Sequence, residues 1–321
     1  MKQPDMKTAS VIKKVGLVIL SLVLCFCLFS CSKEIGAGYE NKDIVLKANK
    51  EKISYDTYRY FYMNYKDSMP QADEEELYSL CTKAIAQDLA ITLLAKEYKV
   101  ELDDSEKETL NTYVQSIIDE KGGEEEYYQY LSENYLTGDL FRHLYSQKLL
   151  EQSLREYLMS EYNNIIPSDD ASFEKDLEKN FMAAKQILIK KESANASELA
   201  SEIMQMLEEG EDFDTLVAEY NEDEGTDSEY GRYFTKGMMV AEFEEAVLSV
   251  KEGELYPEVV ESSVGYHIIK RLPIDMKYVD ENYETLRYYY QTRCANEIIS
   301  EKADSIKFEK TKKFDSFTAG K

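Results

Sequence analysis

Two short apolar runs constrain this chain more than anything else in it. Ala184-Lys185-Gln186-Ile187-Leu188-Ile189-Lys190 reads as one strand, and Gly265-Tyr266-His267-Ile268-Ile269-Lys270 as a second. Both are brief, and both are rich in branched aliphatic residues that suit a pleated surface. Ser262-Ser263-Val264 before the second run reads as a hairpin turn, with Tyr256 to Glu261 as the other arm. Between the runs the period changes to that of helices. Ser197 to Leu207 is amphipathic and ends at Gly210, and Phe213 to Tyr220 sets Phe213, Leu216, Val217 and Tyr220 on one side. Val240, Phe243, Val247 and Val250 share one face of a third helix, which Gly253 ends. The stretch from Phe181 to Leu272 thus reads as a strand, three helices and an antiparallel hairpin.

Charge and histidine content narrow the functions open to such a chain. The net charge is −25, which opposes binding to nucleic-acid phosphates or a polybasic contact with a membrane surface. It favours solubility and suits basic or flexible polypeptide. Two histidines in the whole chain do not make a histidine-rich metal site, and no metal is expected. The sequence holds no His-Glu-x-x-His, Walker loop, Gly-x-Ser-x-Gly or paired Cys-x-x-Cys. The acidic run from Asn221 to Glu229 is no EF-hand, because placing Gly225 sixth puts Tyr220 first, where a carboxylate is needed.

The start of the chain has the layout of an export signal. Lys2, Lys7, Lys13 and Lys14 precede an apolar run from Val15 to Phe29, which is short for a bilayer span. Leu28-Phe29-Ser30-Cys31 resembles the bacterial lipobox, with Phe29 bulkier than is usual at its place. That resemblance implies cleavage of residues 1–30 and lipidation of Cys31. Of the remaining cysteines, Cys81 and Cys294 lie on apolar faces of predicted helices. They read as small buried hydrophobes, with a disulfide between them as the alternative in an oxidising compartment.

Residues 31–41 read as a polar tether and 42–180 as a helical region. Ile44 to Asn49 is a predicted strand and Asn49 to Lys52 a turn. Ser54 is the expected N-cap of a helix presenting Tyr55, Tyr58, Tyr62 and Tyr65 at three- and four-residue spacing. A helix from Glu74 to Tyr98 follows, and another opens at Asp103 with Glu106 three residues on, a capping-box pattern. Tyr127 to Leu131 is a short helix and Asp139 to Tyr162 a long one. Ser168 is the expected cap of a helix reaching Asn180. His143 reads as a structural side chain on the long helix. The tyrosine stripe reads mostly as core, although an amphipathic ring also suits client contact. After the sheet-bearing stretch, Tyr283, Leu286, Tyr290, Cys294 and Ile298 mark one face of a helix from Val279 to Lys302, and the tail from Lys307 is expected to fray.

The order strand, helices, Gly237-Met238-Met239 with Phe243, then Gly265-Tyr266-His267-Ile268-Ile269 resembles the parvulin family of peptidyl-prolyl isomerases. With the helical regions around it, the chain is similar to the PrsA and SurA class of extracytoplasmic chaperones. This implies an α+β fold: a mostly helical chaperone domain built from both chain ends, with a parvulin-like domain inserted at 181–274. Residues 275–321 would supply a C-terminal helix packed back on the helical domain, and a tail. By resemblance, Met239 and Phe243 form the proline pocket, and His267 and Asp223 belong to the polar centre. The family's first-strand His is replaced by Gln186, which donates and accepts hydrogen bonds but does not titrate here. The family's Gly-Gly-Asp-Leu-Gly becomes Asp227-Ser228-Glu229-Tyr230-Gly231, with Arg232 inserted or replacing the last glycine. Val264 stands where a hydroxyl residue is common, with Ser262 and Ser263 nearby.

The function so implied is a lipid-anchored peptidyl-prolyl cis-trans isomerase and foldase for exported proteins, outside the bacterial cytoplasm. Unfolded polypeptides with X-Pro bonds are its expected partners and no cofactor is expected. Self-association as a homodimer is left open, as is the choice of client groove. The alternative is a holdase-type chaperone that keeps the parvulin fold with little or no turnover, for which Gln186 is the main argument.

Overall fold

A computed structural model of the chain describes residues 41–223 and 229–317. The expected signal segment, Cys31, most of the expected tether and the middle of the acidic loop lie outside the described residues. By backbone contacts the chain forms two units, one of residues 182–274 and one of residues 35–181 with 275–321. Among the described residues no helix is long and apolar enough to cross a membrane.

The helical unit opens with β1 (Ile44–Ala48) and β2 (Glu51–Ser54), an antiparallel pair. The turn between them places Asn49 at φ 57°, a conformation asparagine tolerates better than most residues. Residues 51 and 52, expected in a turn, pair with Ala48 and Lys47 instead. Ser54 then caps α1 (Tyr55–Ser68) by accepting from the Thr57 amide at 3.2 Å. Asp73 caps α2 (Glu74–Tyr98). The capping box forms at α3 (Asp104–Lys121), where Asp103 accepts from the Glu106 amide at 2.8 Å and Glu106 from the Asp103 amide at 2.7 Å. Next come α4 (Glu124–Glu133), α5 (Gly138–Met159) and α6 (Asp170–Asn180). The cap of α6 is Asp169, not Ser168: its carboxylate accepts from both the amide and hydroxyl of Ser172. His143 sits half exposed on α5, 3.0 Å from the Asp88 carboxylate.

The inserted unit takes up β3 (Phe181–Lys190), α7 (Ala196–Glu208) and α8 (Phe213–Tyr220). Then follow β4 (Arg232–Thr235), α9 (Ala241–Ser249), β5 (Val260–Glu261) and β6 (Gly265–Leu272). The sheet order is β4-β3-β6-β5. The central pair is antiparallel, with Gln186 opposite Ile269 and Leu188 opposite His267. Because side chains alternate along a strand, this register divides the sheet into two faces. Ile187, Ile189 and Ile268 pack with Ala200, Ile203, Phe213 and Leu216 from α7 and α8. Ala184 and Ile269, on the other face, pack with Phe234, Phe243, Ala246 and Val247. Both faces of this small sheet are therefore covered, and Gln186 and His267 lie on the face that α9 covers. β4 has no counterpart in the sequence reading, and the outer hairpin arm pairs only at Leu255 and at β5.

The chain returns to the helical unit through α10 (Met276–Glu281) and α11 (Tyr283–Asp304), two helices where one was expected. Asn282 closes the first and precedes the second, with its side-chain amide on the Tyr278 carbonyl. The return helix docks by specific bonds: Tyr290 donates to the Pro167 carbonyl at 3.0 Å, and Arg155 to Asn296 at 2.6 Å. Cys81 is fully buried and Cys294 half-buried, and both are free thiols. The tail does not fray at Lys307. β7 (Phe308–Lys310) pairs antiparallel with β1. Beyond it Phe314 and Phe317 set their rings 5.1 and 4.9 Å from that of Tyr58. Tyr58 and Tyr62 are buried there with Val45, Leu77 and Cys81, so these tyrosines are core.

Candidate active site

The register of β3 and β6 sets Gln186 and His267 diagonally on one face, close enough for side chains to meet. His267 Nδ1 and Gln186 Oε1 are 2.7 Å apart. The other end of the same amide, Gln186 Nε2, donates to Asp223 Oδ2 at 2.7 Å. Asp223 follows α8, where Asn221 Oδ1 accepts from both the Leu188 and Asp223 amides. That asparagine ties the loop to β3 and fixes the height of Asp223 above the strand. At the far end of the row, Ser262 Oγ is 2.7 Å from His267 Nε2. Ser262 stands in the β5–β6 turn, and its Oγ also accepts from the Val264 amide at 3.1 Å. Asp223, Gln186, His267 and Ser262 thus form one hydrogen-bonded row, of which Gln186, His267 and Ser262 are buried.

The chemistry of the groups decides which way the row is polarised. An ionised carboxylate only accepts, so the Gln186 amide must turn its NH₂ toward Asp223. Its oxygen then faces His267, and Nδ1 must carry the hydrogen. Nε2 is left with its lone pair and accepts the Ser262 hydroxyl. Burial pushes the His267 imidazole below its ordinary pKa, while the Asp223 and Glu242 carboxylates pull weakly the other way. The imidazole at neutral pH is accordingly uncharged, with Nδ1–H and bare Nε2.

An apolar wall stands beside this row. The Phe243 ring lies edge-on to the His267 ring at 5.8 Å and to Phe234 at 5.7 Å. Met238, Met239, Tyr256 and Val260 pack around the same cluster and are each half-buried. Met239 sits in the turn before α9, and Glu244 holds that turn: its Oε1 accepts from the Gly237 amide at 2.7 Å and the Met239 amide at 3.0 Å. Phe243 is only 1% exposed, so in this state Met239 offers a surface to a ligand and Phe243 lies beneath.

The structure brings Gln186, Asp223 and His267 together, and places Met239 and Phe243 on the adjoining apolar wall. Cys31 lies outside the described residues. Ser262, Arg232 and Glu244 had no assigned place from sequence. The serine pair before Gly265 is a visible signal, but only the turn geometry tells which serine reaches His267. Arg232 is the first residue of β4, with Nη2 3.1 Å from Asp223 Oδ2 and 3.4 Å from Oδ1. Its neighbour Gly231 has φ 71°, and a Cβ there would lie 2.6 Å from the Ala184 carbonyl oxygen. Gly231 therefore keeps the glycine's place, and Arg232 begins the strand. Among the described residues no group of three or more histidine, cysteine or carboxylate side chains is placed to hold a metal ion.

A four-stranded antiparallel core between helices, with a buried polar row and a Met-Phe wall on one face, defines a parvulin-type domain. Residues 173–272 match the PPIC-type PPIase domain family. Around it the comparison extends over nearly the whole chain. The foldase protein PrsA of Caldanaerobacter subterraneus subsp. tengcongensis is 28% identical, covering 94% of this chain and 96% of the relative. PrsA 4 of Bacillus cereus is 38% identical over a shorter stretch, 36% of this chain and 41% of the relative. The solved peptidylprolyl isomerase PrsA of Bacillus anthracis is 24% identical, with 69% of this chain and 94% of that one covered, at a TM-score of 0.32. Residues 173–272 thus match a parvulin-type isomerase domain, and the chain is similar over nearly its whole length to a PrsA foldase.

Proposed function

We propose that this chain is a lipid-anchored peptidyl-prolyl cis-trans isomerase and foldase that acts on exported polypeptides. The observation that carries this reading is the row Asp223–Gln186–His267–Ser262 lying against the Met239 and Phe243 wall. An X-Pro bond isomerises over a barrier of roughly 18–20 kcal/mol, in tens to hundreds of seconds unaided. No covalent bond breaks, so no nucleophile is needed. Twisting the amide removes the resonance that makes its carbonyl oxygen negative, so a less polar surrounding favours the twisted state over the planar one. Met239 and the ring of Phe243 supply the apolar contact for proline. Where it meets the wall, the row presents the uncharged imidazole of His267, edge-on to Phe243. Gln186 conducts the hydrogen-bond pattern of the family's first-strand histidine without titrating. The lipobox-like Leu28-Phe29-Ser30-Cys31 supports attachment through Cys31 on the outer side of a bacterial membrane, where clients emerge unfolded.

The burial of Phe243 supports a second reading, in which the module is a platform and the chain works as a holdase. Refolding of a proline-limited client, measured alongside suppression of its aggregation, separates the two. Acceleration of the slow refolding phase supports the isomerase. Suppressed aggregation with an unchanged slow phase overturns it in favour of the holdase.

A further inference from the structure

Arg232 stands outside every role assigned above, yet it closes the polar row at its open end. Its side chain is 38% exposed and that of Asp223 17%, so this pair forms the only part of the row near solvent among the described residues. Oδ2 of Asp223 receives two donors, Arg232 Nη2 at 3.1 Å and Gln186 Nε2 at 2.7 Å. The backbone makes the arrangement specific. Gly231, with no room for a Cβ, turns the chain so that the next residue enters β4 with its side chain toward Asp223.

A titratable histidine at position 186 would choose its own partner atoms by protonation. Glutamine cannot, and its amide is nearly symmetric in shape. Turned by 180°, it would offer NH₂ to His267 and its oxygen to Asp223. His267 would then have to accept at Nδ1 and carry its hydrogen on Nε2, pointing at Ser262. What selects one orientation is the acceptor at Asp223, and Arg232 holds that carboxylate by donating to both of its oxygens.

We propose that Arg232 is a positioning residue of the isomerase centre: by clamping Asp223 it sets the orientation of the Gln186 amide and, through it, the tautomer of His267. This rests on the isomerase reading for its catalytic consequence, though not for the tautomer itself. The influence runs through Arg232–Asp223, Asp223–Gln186 and Gln186–His267, and only the last can exchange donor and acceptor, once Asp223 no longer stands within reach of the Gln186 NH₂.

Nitrogen-15 spectra of histidine in the full-length chain test this, because only two histidines need assigning and a His143→Gln variant assigns them. The parent is expected to show His267 with a protonated Nδ1 and a bare Nε2. Arg232→Ala is expected to shift both nitrogens toward a mixture of tautomers. It should also lower kcat/KM for prolyl isomerisation by about tenfold, the scale of one hydrogen bond to a charged group. Arg232→Lys keeps a charged donor and should restore most of both; it also serves if the alanine variant folds poorly. Unchanged nitrogen shifts in Arg232→Ala overturn the proposal, as does a tautomer shift with undiminished turnover. If the parent itself does not isomerise proline, the isomerase reading fails, while a tautomer shift in Arg232→Ala still supports the positioning role.

Discussion

Replacing Phe243 separates the two things that its position combines. The ring is 1% exposed, meets Phe234 at 5.7 Å and His267 at 5.8 Å, and packs with Met182, Val247 and Ile269. Truncating such a side chain to alanine costs about 3–5 kcal/mol from lost burial and the cavity left behind. A domain of this size has a total stability of about 5–15 kcal/mol, so Phe243→Ala consumes much of it. Loss of activity in that variant alone says little about a proline pocket. Phe243→Leu keeps an apolar filling and costs about 1–2 kcal/mol by the same area reasoning. It removes the flat ring that faces His267. Urea unfolding of both variants, followed by isomerisation of a proline peptide by the folded leucine variant, gives the answer. The expected result is a large loss of stability in Phe243→Ala, a small one in Phe243→Leu, and clearly reduced turnover in the latter. An alanine variant destabilised by less than about 1 kcal/mol would refute the core placement. A folded leucine variant with parental turnover would refute the pocket role.

Three further outcomes follow from particular contacts. Gly231→Ala puts a Cβ 2.6 Å from the Ala184 carbonyl oxygen at φ 71°; thermal unfolding should show the module destabilised by about 1–3 kcal/mol or more. Gln186→His places a titratable ring diagonal to His267; stability should stay close to that of the parent and isomerisation should hold or rise, whereas a loss would count against position 186 as the family's histidine site. The two histidines have opposite pH signatures. Asp88 raises the pKa of His143, so that pair stabilises the helical unit below about pH 6.5 and the gain is lost as pH rises through the higher folded value. His267 has a lowered pKa, so the module is fully stable above about pH 6.5 and weakens as pH falls through the lower folded value. Denaturant unfolding against pH for Asp88→Asn should remove the first slope, which at a half-exposed pair amounts to less than about 1 kcal/mol.

What the sequence made legible and what it hid have physical reasons. The capping box at Asp103 and Glu106 and the long helix Glu74–Tyr98 are local features: the residues that decide them are adjacent in the chain. The two central strands were visible because their faces are buried on both sides, which leaves an apolar run. Strand Arg232–Thr235 was hidden, since four residues give no period and its pairing depends on β3 far away in sequence. Asp169 displaced Ser168 as a cap because both are suited to the role and only the register of Ser172 chooses. The tail was read as frayed from its charge, while Phe314 and Phe317 gain their burial from Tyr58 at the other end of the chain. In the site, Gln186, Asp223 and His267 were legible through the family pattern. Ser262 and Arg232 were not: their partners His267 and Asp223 lie only five and nine residues away, but the turn geometry that joins them leaves no pattern in the sequence.

The most direct test of the central claim is cis-trans exchange in an unstructured Ala-Pro peptide, followed by magnetisation transfer with the full-length chain present at catalytic concentration. No client folding or aggregation enters that measurement. Exchange accelerated by the parent chain, and lost in a folded His267→Ala variant, is the predicted result. Exchange at the uncatalysed rate with the parent, or equal acceleration by the His267→Ala variant, would contradict the assignment of this buried row as an isomerase centre.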